Sequence, residues 1–117
     1  MKAEAQAALR EMDDQPGGVL VSPISAWEIG QLFSRGRLAL MAEPLPWFNK
    51  ALDAGLLLAD MPPEVLVASS YLPGGLLRDP ADRIIAATAR IFGYRLMTRD
   101  APLLTFGDQG YLQAIAC

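Results

Sequence analysis

The chain has no histidine, and its one cysteine is Cys117 at the C-terminus. An internal disulfide framework is thereby excluded, as is any zinc site built from cysteine and histidine. A metal would have to be held by oxygen, and oxygen donors select hard cations such as Mg²⁺ or Mn²⁺. Thirteen acidic side chains supply such donors. Long apolar runs are missing too: nothing approaches the roughly 18 residues of a membrane span. Met1-Lys2-Ala3-Glu4-Ala5-Gln6 has neither the apolar core nor the cleavage pattern of a secretion signal. The expectation is a soluble, cytoplasmic protein with no membrane partner.

An excess of positive charge is also absent. Ten Lys and Arg stand against 13 Asp and Glu, a formal net charge of −3. Nucleic-acid binding would therefore rest on local arginines, bound cations or a partner's surface. There is no glycine-rich phosphate loop between a strand and a helix, since Gly17-Gly18 precedes an apolar run rather than following one.

What is present is a chain of 117 residues, 52% hydrophobic, which suffices for one domain with a real core, spanning residues 1–117. Ala5, Ala8, Leu9 and Met12 have helical spacing over residues 3–12, and Asp13, Asp14, Pro16, Gly17 and Gly18 supply a turn. Val19-Leu20-Val21 reads as a short strand buried on both faces. A helix follows from Ser25 to about Ser34, closed by Gly36 between Arg35 and Arg37. Pro46 to Ala54 predicts a further helix ended by Gly55, Leu56-Leu57-Leu58 a second buried strand, and Pro62 to Ser70 a third helical stretch.

Asp79-Pro80 opens the clearest helix, with Ile84, Ile85, Ala89, Ile91 and Phe92 as its packing face and Gly93 as its stop. Arg95-Leu96-Met97-Thr98 follows as a strand, and the tail reads as a loop plus a short final strand or helix. Helices alternating with short apolar strands, without hairpin turns, imply an α/β fold with a parallel sheet covered by helices.

Sites in such sheets form beyond the carboxyl ends of the strands. Glu28, Asp82 and Asp100 all follow predicted strands or open predicted helices. A carboxylate cluster repels itself unless a divalent cation neutralises it, and such a cation can orient a phosphodiester and activate water. Each residue also has a purely structural reading. Ser25-Ala26-Trp27-Glu28 fits a capping box with Ser25 as the cap. Asp79 fits an N-cap with Pro80 at the first helical position and Asp82 in the reciprocal slot. Asp100 fits a strand end and turn. Arg78, Arg83, Arg90 and Arg99 are candidate phosphate contacts, Arg83 beside Asp82 the best placed, or else members of exposed ion pairs. Trp27, Trp47 and Phe48 are assigned to packing.

Three ordered segments resemble the VapC-type branch of the PIN-domain family, from about Val19 to Cys117. Ser22-Pro23-Ile24-Ser25-Ala26-Trp27-Glu28-Ile29 with Gly36-Arg37-Leu38 is similar to its glutamate-bearing segment. Leu72-Pro73-Gly74 with Asp79-Pro80-Ala81-Asp82-Arg83-Ile84-Ile85-Ala86 resembles its second acidic segment, and Leu96-Met97-Thr98-Arg99-Asp100 its closing one. The resemblance implies a three-layer PIN-like fold and a ribonuclease that hydrolyses RNA phosphodiester bonds with Mg²⁺ or Mn²⁺. It assigns Glu28, Asp82 and Asp100 to the metal and the catalysis, and a cognate antitoxin and a homodimer as partners; Arg83 and Arg99, from their places beside Asp82 and Asp100, are the substrate-binding candidates.

Two features depart from the pattern. Leu77 precedes Arg78 where the branch commonly has histidine. The family also begins with an apolar strand ending in aspartate, whereas this chain starts in the helix that comes later, and Asp13 and Asp14 follow a helix. A start codon placed downstream of the true one, a strand donated by a second copy or partner, and a rearranged dimer each accommodate that gap. The alternative function is then a catalytically impaired remnant acting through self-association or antitoxin binding. A small-molecule or receiver-like module remains a third reading of the same fold class.

Overall fold

A computed structural model describes residues 2–12, 18–40 and 42–117. Most of the turn expected over residues 13–18, including Asp13 and Asp14, lies outside the described residues. The element order is α1 (Ala3–Met12), β1 (Leu20–Val21), α2 (Ile24–Ser34), α3 (Pro44–Asp53), β2 (Leu57–Leu58), α4 (Pro63–Ala68), α5 (Pro80–Phe92), β3 (Arg95–Thr98), α6 (Ala101–Asp108) and β4 (Gln113–Ala116). The chain is therefore of mixed α/β class. Its described strands form two parallel pairs, β1 with β2 and β3 with β4, rather than one sheet. Two compact units contain them: residues 1–13 with 61–117, and residues 14–60.

The first unit is organised by the β3–β4 pair, in which Leu96 stands opposite Ala114 and Met97 opposite Ile115. Parallel neighbours cannot be joined by a tight turn, so the chain crosses over through α6. Successive side chains of a strand point to opposite faces, and the two cores follow that alternation. Leu96 packs against a cluster of Leu77, Ala86, Leu103 and Phe106. Met97 packs on the other side against Ala5, Ala8 and Ile115, which brings α1 onto the pair. Phe106, Leu77 and Val65 are the largest fully buried side chains, each worth about 1.5–3 kcal/mol of transfer free energy. An ion pair from Arg95 to Glu11 at 3.2 Å also joins β3 to α1, and its exposure keeps its contribution to about 0–1 kcal/mol.

Helix α5 is bounded by local chemistry. The Asp79 carboxylate accepts hydrogen bonds from the backbone N–H groups of Ala81 (2.8 Å) and Asp82 (3.4 Å), and Pro80 occupies the first turn. Gly93 ends the helix in the left-handed region at φ 70°, a conformation that glycine adopts without steric cost. The buried face matches the expected one only in part: Ala89 is buried and Ile84, Ile85 and Phe92 are half-buried. Ala81, Ala86, Ala87, Thr88 and Ala89 are buried, whereas Ile91 is exposed. Small side chains let the α5 backbone approach its neighbours closely, and the Thr88 hydroxyl is satisfied by donating to the Ile84 carbonyl at 2.8 Å.

In the second unit α2 packs against α3 beside the β1–β2 pair, where Leu20 pairs with Leu57 and Val21 with Leu58. These strands were expected to be buried. Instead Leu20 and Val21 are half-buried, and Leu57 and Leu58 are exposed. Phe48 is buried as expected, but Trp27 and Trp47 are exposed rather than packed. Size explains this: so few residues cannot enclose all of their apolar side chains.

Candidate active site

Asp82 and Asp100 share one end of the first unit. Helix α5 reverses into β3 through the short Gly93-Tyr94 turn and packs against it. The start of α5 therefore returns to the end where β3 finishes and α6 begins. Packing agrees, because Leu77, just before Asp79, and Leu103, just after Asp100, lie in one buried cluster. Asp82 sits in the first turn of α5. Asp100 is the N-cap of α6, its Oδ2 accepting the Leu103 N–H at 3.0 Å, while its own N–H donates to the Thr98 hydroxyl at 3.0 Å. Where only a strand end and turn could be read, the structure has a strand end and a helix start. Two carboxylates thus stand at two helix N-termini, where the peptide dipoles favour negative charge.

Glu28 belongs to the second unit, on α2 beyond the carboxyl end of β1. The capping box expected around it does not form, and Ser25 is not the cap. Pro23 takes the N-cap position with helical angles (φ −56°, ψ −28°) and no side-chain cap. The helix consequently begins earlier, Ser25 lies inside its first turn, and the Ile24 N–H donates to the Ser22 hydroxyl at 3.2 Å. Glu28 falls in the second turn. Both Glu28 and Asp82 have interactions within the fold.

The arginines separate by how they are held. Arg83 is half-buried, and its Nε donates to the Ser69 carbonyl (2.7 Å) and its Nη1 to the Leu77 carbonyl (2.5 Å). The guanidinium thereby ties the end of α4 and the loop before α5 to α5 itself. The phosphate role read for Arg83 must compete with these two bonds. Arg99, adjacent to Asp100, is exposed. Arg90, also exposed, donates to the Tyr111 carbonyl and lies 6.0 Å from the ring centroids of Phe106 and Tyr111.

As donors, Asp82 and Asp100 suit a hard divalent cation, being carboxylate oxygens at one end of one unit. Within neither unit do the described residues gather three or more acidic or thiol side chains able to hold a metal. No helix among the described residues is long and apolar enough to cross a membrane. The aromatic and arginine groups near Tyr111 could not be grouped from sequence, because Arg90 and Tyr111 meet only through α6 and β4.

No protein-family model matches the chain. Ribonuclease VapC22 of Mycobacterium tuberculosis (strain ATCC 25618 / H37Rv) is 32% identical to it over 99 residues, covering 85% of this chain and 72% of that relative.

Proposed function

The chain belongs to the VapC family, and on that premise we propose that it is a ribonuclease that hydrolyses RNA phosphodiester bonds with Mg²⁺ or Mn²⁺. The observation that carries the reading is the 32% identity to a ribonuclease across 85% of the chain. The shared end of Asp82 and Asp100 supports it by placing two carboxylates where a strand end meets two helix starts. In this reading residues 1–117 form one PIN-like domain. The cognate antitoxin, the homodimer and the cytoplasmic location belong to the same proposal.

Glu28, Asp82 and Asp100 are the residues assigned to hold the ion. A bound divalent cation supplies charge neutralisation at the phosphodiester and activation of water. The protein's own part is positional. Asp82 stands in the first turn of α5, and the Asp100 cap bond to the Leu103 N–H fixes one oxygen while Oδ1 lies outside that bond. Arg99 is the candidate for steadying a substrate phosphate. Arg83 holds the loop that leads into α5, and so steadies Asp82 from behind.

The test is cleavage of RNA by the purified protein with Mg²⁺ or Mn²⁺, compared with Glu28→Gln and Asp82→Asn. Loss of cutting by folded variants is the expected result, and equal cutting would overturn the site. A second reading, a non-catalytic member acting through self-association or antitoxin binding, is favoured by the lack of three clustered acidic groups within either unit among the described residues. Titration calorimetry separates the two: millimolar or tighter Mn²⁺ binding that depends on Asp82 supports the enzyme, and no binding supports the alternative.

A further inference from the structure

At the opposite end of the first unit, where α5 stops and β4 starts, lies an open cleft of about 520 Å³ lined by Arg90, Gly93, Tyr94, Gly110, Tyr111 and Gln113 among others. That volume falls within the range of small-molecule and cofactor sites. Its chemistry contrasts with the chain as a whole: the net charge is −3, yet the lining contains an arginine and no acidic residue. Arg90 is tied to the cleft by its contacts. One guanidinium nitrogen donates to the Tyr111 carbonyl, and the group lies against the rings of Phe106 and Tyr111, themselves 5.0 Å apart. A guanidinium has five N–H donors, so a single carbonyl bond leaves capacity for an anion.

Tyr94 provides an aromatic wall. Phe92 stacks on its ring at 5.5 Å with an interplanar angle of 27°, and the side chain remains 37% exposed. One face is thus backed by Phe92, and the exposed remainder can accept a planar ligand. Gly93 and Gly110 have no atom within 4 Å of where a β-carbon would stand, so nothing crowds a ligand at those edges. An arginine, an aromatic platform and the Gln113 amide together match a nucleoside phosphate: stacking for the base, charge for the phosphate, and a donor–acceptor pair for a base edge.

We infer that this cleft is an auxiliary subsite for single-stranded RNA, taking one nucleotide with its base against Tyr94 and its phosphate on Arg90. The choice of RNA rests on the ribonuclease reading above. The cleft lies at the amino-terminal ends of β3 and β4, away from Asp82 and Asp100, so it contributes to binding and leaves the chemical step alone.

The test is fluorescence anisotropy with a labelled single-stranded oligoribonucleotide in EDTA, so that binding is read without cleavage. Tyr94→Ala should weaken binding about 5- to 150-fold, the loss expected when one stacked base is released, while Tyr94→Phe should bind like the parent. Circular dichroism checks that both variants are folded. Where cleavage is measurable, Tyr94→Ala should raise KM with kcat unchanged. Unchanged Kd and KM in Tyr94→Ala would overturn the subsite and leave the ribonuclease reading standing. Tyr94-dependent RNA binding by a protein that cuts no RNA with either metal would sink the ribonuclease reading and keep the subsite. Adenosine monophosphate is the second probe: binding of it that depends on Tyr94, with no effect on the oligoribonucleotide, would mean a small-molecule pocket and overturn the RNA assignment.

Discussion

Gly107 of α6 and Ala114 of β4 meet so closely that a β-carbon on Gly107 would stand 2.7 Å from the Ala114 Cβ. Two effects oppose each other at this position. Alanine is the better helix former by about 0.5–1 kcal/mol, but overpacking a rigid contact costs about 1–3 kcal/mol. The neighbour is a strand residue in register with Leu96 and has no flexible end to move aside. Steric cost should win. Gly107→Ala is expected to lower stability by about 1–2 kcal/mol in urea denaturation, and adding Ala114→Gly should recover part of the loss. A more stable Gly107→Ala would show that α6 and β4 are not packed this way.

Asp79 offers a test of helix capping without chemistry. Asp79→Ala removes the acceptor for two backbone N–H groups and should cost about 1 kcal/mol, whereas Asp79→Asn should lie within a few tenths of the parent. Thermal melts read both. RNA cleavage per folded molecule should be unchanged in each.

Asp100 caps α6 and, under the ribonuclease proposal, also holds the ion; asparagine separates the two roles. Asparagine caps helices about as well as aspartate, so Asp100→Asn should keep the Leu103 N–H bonded and the melting temperature close to the parent. The variant should nevertheless lose metal-dependent RNA cleavage by at least about 100-fold, because an amide cannot neutralise a cation. Parent-like cutting would reduce Asp100 to a cap.

Arg83 distinguishes a structural tie from a phosphate contact. Arg83→Lys keeps the charge but cannot bridge the Ser69 and Leu77 carbonyls with a planar fork. Loss of charged hydrogen bonds at a half-buried site should cost about 2 kcal/mol. Denaturation should therefore shift while KM for RNA moves little. An altered KM with stability intact would return Arg83 to the substrate.

The legible parts of this chain were those set by neighbours in sequence. Asp79-Pro80 and Gly93 mark the two ends of α5 because capping and left-handed turns are satisfied within a few residues. The spacing of Ala5, Ala8 and Met12 likewise outlined α1. Ser25 lies inside α2 rather than at its cap because Pro23 adopts helical angles, which gives the Ile24 N–H to the Ser22 hydroxyl; proline's fixed φ is compatible with a helical or an extended ψ, so the sequence alone does not decide it. Apolar character misled for β2 and for the tryptophans, since hydropathy records a preference for burial and not whether enough chain is nearby to provide it.

By itself the sequence determined the α/β class, the lack of histidine and of any cysteine but Cys117, and the order of the acidic segments, all of which follow from composition, local periodicity and linear motifs. Only the tertiary structure decided that the described strands form two parallel pairs, that Asp82 and Asp100 share an end, that Arg83 is occupied by carbonyls, and that Arg90, Tyr94 and Tyr111 line one cleft. Those relationships depend on the α5 reversal and the α6 crossover, which bring together residues whose separation along the chain says nothing about their distance in space.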